Sequence, residues 1–156
     1  MLFALPAAAA YDLKGIALGA QEKDLRRALP SARCKALEWQ SRAADRRCDD
    51  SRVAFGGIEV KVTFYLKKGV VEAFDLRFDT KELDRFVGFL KSHFGPPQSE
   101  SRDSFPKGKS KSSRDVHRVL WERAGERAVL TAQLEKSRAA LLVYRGEFEE
   151  EIYRVR

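Results

Sequence analysis

The chain predicts an α+β fold: a single, mainly antiparallel sheet of five to seven strands with two helices packed on one face. Three observations predict it. Ile58, Val60, Val62, Phe64 and Leu66 alternate with Glu59, Lys61, Thr63 and Tyr65, the period of a half-buried strand. Leu83, Phe86, Val87, Leu90 and Phe94 recur instead at helical spacing and form one apolar stripe. The order of helix, proline stop, irregular loop and strands occurs twice, which predicts two pseudo-repeated helix-then-strands units in one sheet.

Taken in order, residues 1–10 (MLFALPAAAA) are apolar and set Ala8 and Ala10 in an A-x-A arrangement before Tyr11. They are expected to be the remnant of a signal peptide, although they lack a basic n-region. Residues 11–156 read as one domain. Asp12 to Gly19 is a short apolar segment with glycines at both turns. Gln21 to Leu29 is a short helix, with Leu25, Ala28 and Leu29 on one face and Pro30 as its stop. Ser31 to Arg52 has poor periodicity and reads as an irregular loop, with a helical turn around Leu37 to Ala44. Arg52 to Phe55 is a strand beside the alternating one. At Lys67-Lys68-Gly69 the chain turns, Gly69 being free to take positive φ, and returns with Phe74, Leu76 and Phe78 on one face. Asp79 offers an N-cap oxygen and Glu82 a capping-box carboxylate for the helix ending at Phe94, which Gly95 and Pro96-Pro97 terminate. The polar stretch 98–114 is expected to be a mobile loop. Val116 to Glu122, Arg127 to Leu134 and Ala139 to Arg145 are strands. The tail from Glu147 fits a last strand or a helical turn, Phe148, Ile152 and Val155 having helical spacing.

At 156 residues, with 44% hydrophobic and 34% charged residues, the chain suits one globular domain that buries its core without a cofactor. No apolar run approaches the roughly 20 residues that cross a bilayer. A formal charge of +7, from 30 basic against 23 acidic residues, favours anionic partners without choosing among them. The only two cysteines, Cys34 and Cys48, suit a disulfide better than a metal site, since no histidine lies near them to complete a ligand set. With the apolar start, they predict an exported protein, periplasmic or secreted.

Gly15-Ile16-Ala17-Leu18-Gly19 has a G-x-x-x-G entry into a helix, and Leu90 to Pro97 (LKSHFGPP) an L-x-x-x-F-G-x-P exit. On these residues the chain resembles the small exported α+β domains related to the lipoprotein subunit of the outer-membrane barrel-assembly machinery and to the β-lactamase inhibitor protein. The resemblance implies helix pairs packed on antiparallel strands and a function in binding other proteins. The chain departs from the lipoproteins in lacking an acylated cysteine, so membrane anchoring does not carry over.

Nothing in the sequence is a motif that carries chemistry. His93 sits at a helix edge, where a protonated imidazole is mildly stabilising. His117 starts a strand, and a Cys-His or Ser-His dyad built from it has nothing to position it. Asp49-Asp50 is read as local ion pairing with Arg46, Arg47 and Arg52, and the Glu149-Glu150-Glu151 run, near Arg145 and Arg154, as balancing the basic surface. Lys107, Lys109, Lys111 and Arg114 form a basic segment that lacks the interleaved aromatics of a nucleic-acid surface. Trp121 is expected to be buried in the sheet. Trp39 is expected to pack over the disulfide; exposed, it would be an interface anchor. The sequence reading is therefore a non-enzymatic binding or accessory protein of the bacterial envelope, with no cofactor or metal, whose partner is another protein or an anionic envelope component. Its expected contact surface combines Trp39 with Glu59, Lys61, Thr63 and Tyr65 on the wet face of the sheet, and Lys107, Lys109, Lys111 and Arg114 in the basic loop. The rivals are an intracellular nucleic-acid-binding protein and a small hydrolase using His93 or His117.

Overall fold

The computed structural model describes residues 11–106 and 113–155. Residues 1–10, read as a signal remnant, and Lys107, Lys109 and Lys111 of the basic segment lie outside the described residues.

The fold is α+β with a mainly antiparallel sheet. A short hairpin, β1 (Asp12–Leu13) and β2 (Ile16–Ala17), leads into α1 (Glu22–Ala28) and then β3 (Arg33–Ala36), β4 (Arg46–Phe55), β5 (Ile58–Lys67) and β6 (Val70–Asp79). A second unit repeats the order: α2 (Leu83–Phe94), then β7 (Ser99–Pro106), β8 (Ser113–Arg123), β9 (Glu126–Gln133) and β10 (Arg138–Arg145). A third helix, α3 (Phe148–Val155), closes the described chain. The main sheet has the order β3-β4-β5-β6-β10-β9-β8-β7, so the two four-stranded meanders meet at their last strands.

Among the described residues the main sheet has eight strands in place of the expected five to seven, and there are three helices in place of the expected two. The first additional strand is β3, together with the first half of β4, in the stretch read as an irregular loop. Arg33, Lys35 and Ala36 are exposed, because β3 is an edge strand with no apolar face to show a period. The second is β7, which runs through about half of the segment expected to be a mobile loop. Ser99, Glu100, Ser101 and Arg102 are all exposed, and the strand is held by backbone pairing to β8. Lacking an apolar stripe, it carries no sequence signal.

One face of the sheet is sealed. Val62, Leu76, Leu141 and Leu130 sit on neighbouring strands in register and share a core with Leu25 of α1 and Phe86 and Leu90 of α2. Phe86 packs edge-on against Phe55 and Phe78, with ring centroids 5.9 and 4.7 Å away. Trp121 lies in the same layer, 1% exposed as expected, and its indole N–H donates to the Gly95 carbonyl at 2.9 Å where α2 ends. Gly95 takes φ 94°, in the region that suits glycine. At the other end of α2, Asp79 Oδ1 accepts from the Lys81 N–H at 2.9 Å, whereas Glu82 caps nothing, because a 3-10 turn over Thr80–Glu82 separates the cap from the helix.

Cys34 and Cys48 face each other across β3 and β4 and form the expected disulfide, on the sealed side next to Phe64. No described helix is long and apolar enough to cross a membrane.

Candidate functional site

The opposite face of the sheet is open over much of its width. Strand alternation places Glu59, Lys61, Thr63 and Tyr65 there, as the sequence predicts, because their neighbours Val60, Val62 and Phe64 are committed to the core. Register then carries three rows of side chains across the strands. The first runs Lys61, Arg77, Ala140, Thr131, Arg118 and Ser101. The second holds Asp49, Thr63 and Asp75, then Leu142, Val129 and Leu120. In the third row are Arg47, Tyr65, Ala73, Tyr144, Arg127 and Glu122.

The three rows differ in character. The third is roofed by α3: Phe148 packs on Tyr65 with ring centroids 5.2 Å apart, Glu149 reaches Arg127 at 2.8 Å, and Glu147 just before the helix meets Lys67 at 3.0 Å. Burial raises the Tyr65 hydroxyl pKa above that of a free tyrosine. Trp39 stands beside the same ring, 6.5 Å from Tyr65 by centroid, and is 43% exposed. The expectation that it packs over the disulfide is corrected: the bridge belongs to the sealed side, and Tyr65 to the open one. Trp39 also lines a depression of about 770 Å³ with Leu37, Gln40, Arg42 and Glu151.

In the second row Thr63 is 1% exposed and is no accessible contact residue. Its hydroxyl donates to Asp49 Oδ1 at 2.6 Å and accepts from Arg77 at 3.4 Å, while Arg47 Nε donates to the other Asp49 oxygen at 2.8 Å. Burial disfavours the charged carboxylate, but the hydrogen bonds from Arg47 and Thr63 outweigh it and hold Asp49 below the usual aspartate range. Leu142, Val129 and Leu120 in the same row are only half-buried.

In the first row and beside it, Lys61, Arg118 and Arg138 are exposed, and none forms an ion pair with a described carboxylate, although Glu59 and Asp79 lie at this margin. Arg77 has a loose contact with Asp75 at 3.9 Å. Lys61, Arg77, Thr131, Gln133, Arg138 and Ala140 line a depression of about 600 Å³.

The remaining candidates are not brought together. Asp49 and Asp50 are neighbours in a strand and so point to opposite faces: Asp50 is buried on the sealed side, accepting from the Ser31 hydroxyl at 2.6 Å and from the Arg52 N–H at 3.1 Å. Arg47 pairs with Asp49 as expected, but Arg46 turns to Glu22. His93 contacts Asp12 at 2.8 Å and stacks on Phe89, and His117 contacts Glu100 at 2.9 Å, so each imidazole faces a carboxylate and not a nucleophile. Hydrogen bonds from Lys91 and His117 lower the Glu100 pKa. The Glu22 carboxylate lies near the two cysteine sulfurs, but those are bonded to each other, which leaves no thiolate for a metal. Arg114 falls in β8 by its backbone.

The residues that sequence reasoning missed are Arg77, Arg118, Arg138 and the Leu142–Val129–Leu120 strip. Alternation in β6 already set Arg77 opposite the core; the others became visible only with cross-strand register. Compared with family models, curated proteins and solved structures, the chain matches none of them, and nothing positive points to catalysis.

Proposed function

We propose that this chain is an exported, non-enzymatic binding or accessory protein of the bacterial envelope, which holds another protein on the open face of its sheet. One observation carries the reading: a sheet of eight strands is sealed on one face, while the other keeps half-buried apolar residues, exposed cations and an exposed tryptophan. Such a mixture of aromatic, apolar and arginine contacts is the composition of protein interfaces. The Cys34–Cys48 bridge is compatible with an oxidising compartment. The resemblance to small exported binding domains points the same way.

Two measurements test it. The intact mass of the protein isolated from its own cells is expected to start near Tyr11, with thiols alkylated only after reduction. A retained N-terminus and two freely alkylated thiols would remove the export reading. Charge reversal at Lys61 and alanine at Trp39 are each expected to weaken capture of a partner from envelope extract. Capture indifferent to both would remove the open face from function.

A further inference from the structure

The open face also states what kind of partner surface it fits, an inference that rests on the binding reading above. We infer that it receives an acidic amphipathic helix of a partner protein, laid beside α3 across the first two rows.

Three features converge on that chemistry. Lys61, Arg118 and Arg138 are exposed without a described carboxylate partner, and Arg77 holds its own only at 3.9 Å, so this margin offers positive charge to a ligand. Next to these cations runs the half-buried strip of Leu142, Val129 and Leu120. A sulfated polysaccharide would use the cations and leave that strip wet. A helix with glutamates flanking a leucine or phenylalanine ridge uses both. The third feature is α3 itself. Its acidic first turn and Phe148 already sit on this sheet, with Glu149 on Arg127, Glu147 on Lys67 and the phenyl ring on Tyr65. The chain thus displays, on its third row, the kind of contact that a partner helix would make on the first two.

The dimensions agree. Lys61 and Arg118 stand four strands apart, about 19 Å at 4.8 Å per step, the length of about 13 helical residues. The first and third rows are four residues apart along a strand, about 13 Å, which leaves room for a second helix at the usual spacing of about 8–10 Å from α3.

The test uses the full-length protein and a fluorescein-labelled peptide of about 14 residues, with leucine at helical i, i+3, i+4 spacing and glutamate elsewhere. Anisotropy is expected to show saturable, salt-sensitive binding. The double reversal R77E/R138E is expected to weaken it about tenfold or more, whereas K14E/K23E, the same change in net charge on the sealed side, leaves it within about twofold. All four positions are exposed, and a preserved thermal transition confirms that each variant folds. Equal losses in the two variants would mean attraction to total charge and overturn the inference, as would the absence of saturable binding. Dextran sulfate binding that R77E/R138E abolishes, with no peptide binding, would assign the face to an anionic polymer. Self-association that the same variant abolishes would assign it to a second copy. If the peptide fails while K61E still weakens capture of an envelope partner, the acidic helix falls and the binding face stands; if capture too is indifferent, both fall.

Discussion

Thr63 and Asp49 show how a single buried hydroxyl can organise a surface. The threonine sits under Arg77 and donates a hydrogen bond to Asp49, which Arg47 grips from the other side. Because the Asp49 pKa is lowered in the folded chain, its stabilising contribution is complete above the unfolded value of about 3.9 and is lost as pH falls through the folded one. The native protein is therefore expected to exceed D49N in stability at pH 7, with the difference shrinking as acid is added below about pH 4. Urea denaturation over a pH series measures it, and a difference that does not change with pH would show that the carboxylate gains nothing from its partners. Gly56 makes a second case. It holds φ 63° at the β4–β5 turn, and a Cβ there would lie 2.5 Å from Cδ1 of Phe89. G56A is expected to cost about 1–3 kcal/mol through strain and overpacking. G69A, at φ 78° with open space around it, should lose only about 1 kcal/mol, from backbone strain alone. Equal losses would show that Phe89 moves aside freely.

Elements were legible where one face of the chain had to be apolar. The β5–β6 hairpin and α2 are visible because Val62, Phe64, Leu76, Phe86 and Leu90 all answer to the same core, so their periods of two and of 3.6 survive in the sequence. β3 and β7 are edges, and their polar residues answer to water on both sides; pairing to one neighbour left no trace in composition. The candidate site divides in the same way. Glu59, Lys61 and Tyr65 follow from alternation, whereas the alignment of Arg77, Arg138 and Arg118 is a property of pairing between strands distant in sequence. The bridge holds the shortest strand of the main sheet, an edge, to its neighbour. Replacing both cysteines (C34A/C48A) removes a closure of about fifteen residues and is expected to cost on the order of 3 kcal/mol, read as a lower denaturation midpoint. For α3, E149K sets like charges together at Arg127, and faster amide exchange over residues 148–151 is the expected result. Unchanged exchange would mean that Phe148 alone holds the helix.

At the scale of the molecule, the two meanders share one core and meet at β6 and β10, where Leu76 faces Leu141. L141A is expected to cost about 2–5 kcal/mol and to destabilise both halves together. Trp39 reports on the first half and Trp121 on the second, so single-tryptophan variants W39F and W121F should show coincident urea transitions. Separate midpoints would mean that each meander is a folding unit of its own. That seam also sets a clock. The strand that completes β6 is the last of the sheet to be made, because Asp79 pairs with Arg138 and Ala73 with Tyr144. At synthesis rates of about 5–20 residues per second, β6 waits roughly 3–13 s with one hydrogen-bonding edge bare. For those seconds the nascent chain offers its central strand to any other strand it meets, and that interval is where its risk of misassembly lies.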